Sequence, residues 1–188
     1  LGAAVSNLGT RIVRGDWPEG GVVTKEADLL EELAVSRSVI REAFSILGAK
    51  GMIRSRTSDG TRVQPRSEWR LLDPDVMDWR IRAGDTENLL RDLLKVRLVL
   101  EPGVAYNTTK LADDAARDRI HAAWQAKVAV ADLPGLTHEE RREQFIETDL
   151  EFHRAFLSAV NSELLDQLFA VIEAALGLLL DLQMKAKG

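Results

Sequence analysis

The stretch that most constrains the fold of this chain lies between residues 24 and 63. Apolar residues at helical spacing predict one helix over residues 25–33 and a second that begins at Ser36 and ends near Lys50. A basic stretch follows, in which Asp59-Gly60 is placed to form the turn between two short strands. Two short helices, a tight turn between them and a hairpin are typical of a winged helix-turn-helix, whose second helix enters the major groove of DNA.

The charge of this stretch differs from that of the whole chain. The formal net charge of the sequence is −5, whereas residues 36–66 contain seven Lys/Arg and two Asp/Glu. Phosphate binding requires such a patch, because each neutralised phosphate releases counterions. The alternative is a solvated basic face on a small helical domain. The positions expected to contact double-stranded DNA are Ser36, Arg37, Ser38, Arg41, Ser45, Arg56, Gly60, Thr61 and Arg62.

Helical patterns dominate the rest of the sequence. A first helix is predicted over residues 2–14, and leucines at helical spacing recur from residue 86 onward. The fold class is therefore mainly α, with a winged helix-turn-helix domain over residues 1–66, a linker over 67–84 and an all-α helical bundle over 85–188.

Three local features refine this outline. Pro102 is expected to kink or restart the helix that contains it. Thr137, with Glu140 three residues later, has the pattern of a capping box at a helix start. Trp69 and Trp79 make the linker too apolar for a free tether, so we expect it to dock on the helical bundle.

Composition removes several function classes. The chain has no cysteine, which excludes disulfides, thiolate ligands and cysteine nucleophiles, and it fits a cytoplasmic location. Its longest apolar run is far shorter than the about 20 residues that span a bilayer, so no membrane partner is expected.

Two residues of the helical half have the spacing of a ligand pair. Asp149 and His153 lie four residues apart, on one face of one predicted helix, where both can bind a divalent metal such as zinc. Such a pair is more often a solvated surface pair, but Phe145 and Phe152 nearby favour an inward position. The pair is therefore a candidate metal and effector site.

Arg97 is a second candidate, because it lies in an otherwise apolar helical stretch where an unpaired charge is costly. One reading is a salt bridge to Glu101, one turn later. The other is a guanidinium that binds the carboxylate of an acidic effector, since arginine binds carboxylates with two parallel hydrogen bonds.

The chain resembles GntR-type bacterial transcription regulators at four motifs: Glu26-Ala27-Asp28-Leu29, Val35-Ser36-Arg37-Ser38, Ile40-Arg41-Glu42-Ala43 and Leu47-Gly48-Ala49-Lys50-Gly51-Met52-Ile53. The later half is similar to the FadR-type branch, whose effector domain is called FCD. The linker pattern Trp-x-x-Leu-Asp-Pro-Asp-Val-x-x-Trp resembles that of repressors which respond to sugar acids such as galactonate. The resemblance implies a homodimer on a DNA operator, and a small organic or sugar acid bound near Arg97, Asp149 and His153.

The resemblance also extends to the metal. Asp149 and His153 match the Asp-x-x-x-His of metal-binding FCD domains, in which two histidines from later helices complete the site. Here the other histidines, His121 and His138, lie earlier and are read as surface residues. We therefore expect the C-terminal end to be truncated and the remaining metal ligands to be missing.

Three function classes compete on this evidence. The leading one is a sequence-specific DNA-binding transcription regulator, with repression favoured, controlled by a small acid. The second is a metal-dependent helical enzyme that acts on a small acid through Asp149 and His153. It lacks a nucleophile–histidine triad and a glycine-rich phosphate loop, so no enzymatic activity and no catalytic residue are predicted. The third is a helical interaction module whose basic wing is incidental.

Overall fold

The computed structural model describes residues 1–56 and 59–185, with side chains described as far as residue 177. The described chain is mostly helical, which confirms the predicted fold class. Its helices and strands are α1 (Gly2–Arg14), α2 (Glu26–Leu33), α3 (Arg37–Ala49), β1 (Ile53–Arg56), β2 (Gly60–Val63), α4 (Pro74–Arg82), α5 (Thr86–Leu111), α6 (Asp114–Ala129), α7 (His138–Ser158) and α8 (Glu163–Lys185).

The chain divides into two compact units. The first, here called the winged-helix unit, contains residues 1–92 together with residues from 174 onward. The second, called the helical unit, contains residues 93–173. None of the described helices is both long and apolar enough to cross a membrane.

One apolar core holds α1, α2, α3 and the hairpin together. Leu8, Leu29, Ile40, Leu47 and Met52 are each at most 1% exposed within it. The apolar periodicity of each helix places these side chains on one face, and their burial supplies most of the stability. The strands pair antiparallel and form the predicted wing, although two of its turn residues, Thr57 and Ser58, lie outside the described part.

The linker packs on the winged-helix unit, so the prediction that it docks on the helical bundle is wrong. Trp69, Val76 and Trp79 are buried in the same core as α3. Trp79 fits because Gly9 of α1 has no side chain: a Cβ at this position would lie 2.3 Å from the indole ring. The apolar residues of the linker thus complete the first core.

An ion cluster surrounds the buried Arg80 near the end of the linker. The side chain of Arg80 is 3% exposed, and its guanidinium lies 2.8 Å from Asp85 and 3.1 Å from Asp92. Arg66, which follows the wing, also pairs with Asp85. Burial would raise the pKa of Asp85, but hydrogen bonds from Arg66, Asn88 and Arg80 outweigh it and lower that pKa.

The helical unit is built mainly from α6, α7 and the adjoining parts of α5 and α8. The capping box predicted at Thr137 is present, since its hydroxyl accepts from the Glu140 backbone and the Glu140 carboxylate accepts from the Thr137 N–H. Helix α5 continues through Pro102, so the predicted restart does not occur. The buried apolar residues of the helical unit include Leu93, Val104, Val130, Leu157 and Phe169.

Candidate DNA interface and effector site

The outer face of α3 carries most of the predicted DNA-contacting residues. Ser36 is the N-cap of this helix, and its hydroxyl lies 2.9 Å from that of Ser38. Arg37 and Arg41, one turn apart, are exposed, and neither has an ion-pair or hydrogen-bond partner within the described residues. Free guanidinium groups on one helical face can bind phosphates or guanine edges.

A concave surface continues from α3 to the wing. Arg41 and Ser45 of α3 and Ser55 of β1 line a cavity of about 340 Å³ beside the start of α2. Glu26 lines the same cavity and is the acidic group at its edge. This concave surface therefore combines one cation, one carboxylate and two hydroxyl groups.

The wing residues divide into outward and inward groups. Arg56 is exposed at the end of β1. Arg62 instead turns back, since its guanidinium donates to both oxygens of Asp59, at 2.8 and 3.0 Å, and to the Gly20 carbonyl at 2.8 Å. Its side chain therefore stabilises the conformation of the wing.

Two further residues predicted to contact DNA, Gly60 and Thr61, lie in the wing. Gly60 has a φ of 73°, a left-handed conformation that favours glycine. The Thr61 hydroxyl lies 2.8 Å from that of Ser55, across the hairpin. Both residues shape the wing.

The basic patch is smaller than its count of cations indicates. Lys50 lies 2.7 Å from Asp73 and 2.8 Å from Asp75, and its side chain is 13% exposed. Burial would lower the pKa of Lys50, but its hydrogen bonds to these two carboxylates outweigh burial and raise it. Lys50 and Arg66 thus form ion pairs with carboxylates of the winged-helix unit, Lys50 with Asp73 and Asp75 and Arg66 with Asp85.

A cluster of charged side chains lies within the helical unit. Arg97 of α5 donates to Glu101 at 2.6 Å and also lies 2.5 Å from His153 Nε2 and 3.8 Å from Asp149. The predicted salt bridge to Glu101 is present, and the three residues predicted from sequence come together. Their side chains are 16–22% exposed, so the pair on α7 is not a solvated surface pair.

Lys127 of α6 is a fifth member of this cluster that the sequence did not reveal. Its ammonium lies 2.5 Å from Asp149 and within 5.3 to 5.7 Å of the ring centroids of Trp124, Phe145 and Phe152. An aromatic cage of this kind favours a cation. Burial would raise the pKa of Asp149, but His153 and Lys127 outweigh it and hold that pKa well below its usual range.

The donor set is poorly matched to a divalent metal. No group of three or more His, Cys, Asp or Glu suited to hold an ion occurs among the described residues. Asp149 and His153 supply two donors, and both face cations: Lys127 at Asp149 and Arg97 at His153. A metal would have to displace both, and a structural or catalytic site needs at least three protein ligands.

A winged helix-turn-helix joined to an all-helical domain with a charged interior cluster defines a class of two-domain transcription regulators. Family models assign both parts. Residues 2–63 match the bacterial regulatory proteins of the gntR family, and residues 92–187 match the FCD domain.

Two curated relatives and one solved structure are similar to this chain. The galactonate operon transcriptional repressor of Escherichia coli K12 is 33% identical over 170 residues, which cover 90% of this chain and 71% of the relative. The E. coli regulator YieP is 32% identical over 78% of this chain and 61% of its own length. A solved structure, Streptococcus agalactiae GntR, has 25% identity and a TM-score of 0.43, and the match covers 94% of this chain and 79% of that one.

The chain therefore belongs to the GntR family of bacterial regulatory proteins, in the branch with an FCD domain. It is a DNA-binding transcription regulator. The helical-enzyme hypothesis is wrong, because the family and its named relatives are regulators of transcription.

Proposed function

We propose that this protein is a cytoplasmic repressor whose affinity for its operator is controlled by a small organic or sugar acid bound at Arg97, Lys127, Asp149 and His153. The observation that carries the proposal is the clustering of two permanent cations inside a helical unit. Arginine and lysine in a partly buried site bind a carboxylate more strongly than they do at an exposed surface.

The two cations of the cluster are already paired with carboxylates of the protein, and this pairing suggests how an effector acts. Glu101 holds Arg97, and Asp149 holds Lys127. An incoming carboxylate would take over one or both cations and release the internal carboxylates. Because Glu101 lies on α5 and Asp149 on α7, this exchange would favour a different arrangement of these helices, a population shift driven by differential affinity.

The class of the effector is supported by a relative. The E. coli repressor is named for the galactonate operon, and galactonate is a sugar acid. A hydroxylated carboxylate has both the anion that Arg97 and Lys127 require and hydroxyls that can hydrogen-bond Glu101 and Asp149.

A metal-assisted version of this proposal uses Asp149 and His153 as ligands of a divalent ion. It requires the ion to replace Lys127 and Arg97 at those two atoms. A chelator that lowers the affinity for the acid would favour this version, and an unchanged affinity would remove it.

The DNA side of the proposal rests on the free cations of α3. Arg37, Ser38, Arg41 and Ser45 would read the major groove, while Arg56 and the wing turn contact the backbone. A single winged helix reads one half-site, so we propose that a homodimer reads paired half-sites.

The effector proposal is tested by a thermal-shift and calorimetry panel of aldonic, uronic and small dicarboxylic acids. One class should raise the melting temperature of the protein, and the effect should vanish in Arg97→Gln and Lys127→Gln. Arg91→Gln is a matched control, because Arg91 pairs with Glu87 on the exposed face of α5. Binding that survives both cluster variants would contradict the proposed site.

The DNA proposal is tested on a duplex selected by the protein itself from a random library. Arg41→Ala should weaken binding by about 1–3 kcal/mol, and Arg91→Ala should leave it unchanged. Sedimentation of the complex should give two protein chains per duplex. Equal affinity of Arg41→Ala and the unaltered protein would contradict the assignment of α3 as the reading helix.

A further inference from the structure

The helical unit contains a cavity whose lining includes none of Arg97, Lys127, Asp149 and His153. It has a volume of about 520 Å³ and opens between the C-terminal part of α5, α6 and α7. Trp124, Phe152 and Phe156 form its wall, with ring-centroid distances of 5.4 Å and 5.9 Å between successive rings. This volume lies in the range that holds small ligands, and the wall offers faces for stacking.

The polar groups on the α5 side of this cavity are already engaged. The Thr108 hydroxyl donates to the Phe156 carbonyl at 3.0 Å, and the Thr109 hydroxyl donates to the Tyr106 carbonyl at 2.8 Å. Their protons are therefore not available to a ligand. The remaining lining on this side is apolar, which disfavours a polyhydroxylated ligand, because its hydroxyls would lose hydrogen bonds with water.

Two cationic or potentially cationic groups lie one turn apart on α6 and line the same cavity. Arg117 and His121 are both exposed. Arg117 pairs with Asp114 at 2.9 Å, an exposed pair of small energetic weight, and its guanidinium has donors left for a second carboxylate. His121 has no recorded hydrogen-bond or ion-pair partner within the part of the chain that the structure describes.

We propose that this cavity binds a small aromatic monocarboxylate, with its ring against Trp124, Phe152 and Phe156 and its carboxylate at Arg117 and His121. The site is separate from the cluster of Arg97, because the two share no charged residue. The rings of Trp124 and Phe152 line the cavity and also lie near the ammonium of Lys127, at 5.7 and 5.3 Å from the ring centroids. The proposal therefore goes beyond the sugar-acid site and adds a second ligand class.

The experiment uses phenylacetate as the probe and phenylacetamide as its neutral analogue. The chain has four tryptophans, and Trp17, Trp69 and Trp79 belong to the winged-helix unit. Phenylacetate should quench the fluorescence saturably, and Trp124→Phe should abolish this quenching while calorimetry still detects binding. Trp124→Phe keeps an aromatic wall, so loss of the signal identifies the cavity.

Two further variants test the charge assignment and the position. Arg117→Gln with His121→Gln should weaken phenylacetate binding by at least about tenfold, because the carboxylate loses the guanidinium charge of Arg117 and the ring N–H of His121. Arg97→Gln should leave it unchanged, which separates this site from the proposed effector site. Absence of saturable binding at millimolar phenylacetate would overturn the proposal, as would equal affinity for phenylacetamide or loss of binding in Arg97→Gln.

Discussion

The two units of this protein place their charges in opposite ways. In the winged-helix unit, Leu29, Ile40 and Leu47 are fully buried, and the two arginines of α3 are exposed and have no ion-pair partner among the residues that the structure describes. In the helical unit, Arg97 and Lys127 are only 17% and 18% exposed, and each is paired with a carboxylate. A paired, partly buried charge seldom stabilises a fold more than apolar residues would. The first unit thus combines an apolar interior with exposed arginines on α3, whereas the second keeps Arg97 and Lys127 partly buried.

The largest effect should come from the apolar interior of the winged-helix unit. Leu47→Ala should lower the free energy of unfolding by about 2–5 kcal/mol, because it leaves a cavity beneath α3. Leu164→Ala is the matched control: Leu164 is 80% exposed, so its removal should change stability by no more than about 0.5 kcal/mol. Urea-induced unfolding measures both values, and similar losses in the two variants would break the comparison.

The second effect contrasts paired and free arginines. Arg97→Met should cost about 1–3 kcal/mol of stability, because Glu101 loses its partner in a partly buried site. Arg37→Met should leave stability within about 0.5 kcal/mol and weaken DNA binding instead. Thermal unfolding and DNA titration of each variant give the four values. A stability loss in Arg37→Met as large as that in Arg97→Met would mean that α3 is not a free recognition surface.

A smaller effect is expected at the start of α7, the helix that carries Asp149 and His153. Thr137→Ala removes the capping box and should lower the stability of the helical unit by about 1 kcal/mol. Thr148→Ala is its control within the same helix, since Thr148 bonds the Gln144 carbonyl and caps nothing. Chemical denaturation should separate the two; equal losses would show that the cap is not what stabilises α7.

The smallest effect is a pH dependence of the stability of the winged-helix unit. It arises at Arg80, a buried charge in an otherwise apolar region, and its partner Asp85. The pKa of Asp85 is lowered from its usual 3.8 in the folded protein, so its contribution to stability is present above about pH 4 and is lost as the pH falls further. Asp85→Asn should therefore reduce the melting temperature at neutral pH and flatten its decline in acid. Parallel acid limbs in Asp85→Asn and the unaltered protein would contradict this assignment.

Local sequence patterns predicted the features that depend on neighbours along the chain. The helix-turn-helix, the wing turn at Gly60 and the capping box at Thr137 are all set by residues within a few positions of one another. The pairing of Arg97 with Glu101 also follows helical spacing. These predictions are confirmed by the structure.

Features that depend on packing between elements were missed. Lys127 joins the charged cluster of Arg97, Glu101, Asp149 and His153 because α6 packs on α7, and nothing in the sequence around Lys127 indicates that neighbour. Lys50 was counted with the basic patch, but Asp73 neutralises it across an intervening hairpin. The linker was expected to dock on the helical bundle, but it packs on the winged-helix unit. The sequence shows that Trp79 needs an apolar environment but not which residues supply it, and here Trp79 packs against Gly9 of α1.

The packing of the linker has a consequence for protein engineering. A DNA-binding module cut after residue 66 would lose Trp69, Val76 and Trp79 from its core and would leave Lys50 without its carboxylates. Grafts onto a foreign sensor should therefore carry the native sequence at least through Asp85, which follows α4 and pairs with the buried Arg80. In a chimera, the join between donor and recipient then falls after the third tryptophan, at the end of a folded element rather than inside a hydrophobic core.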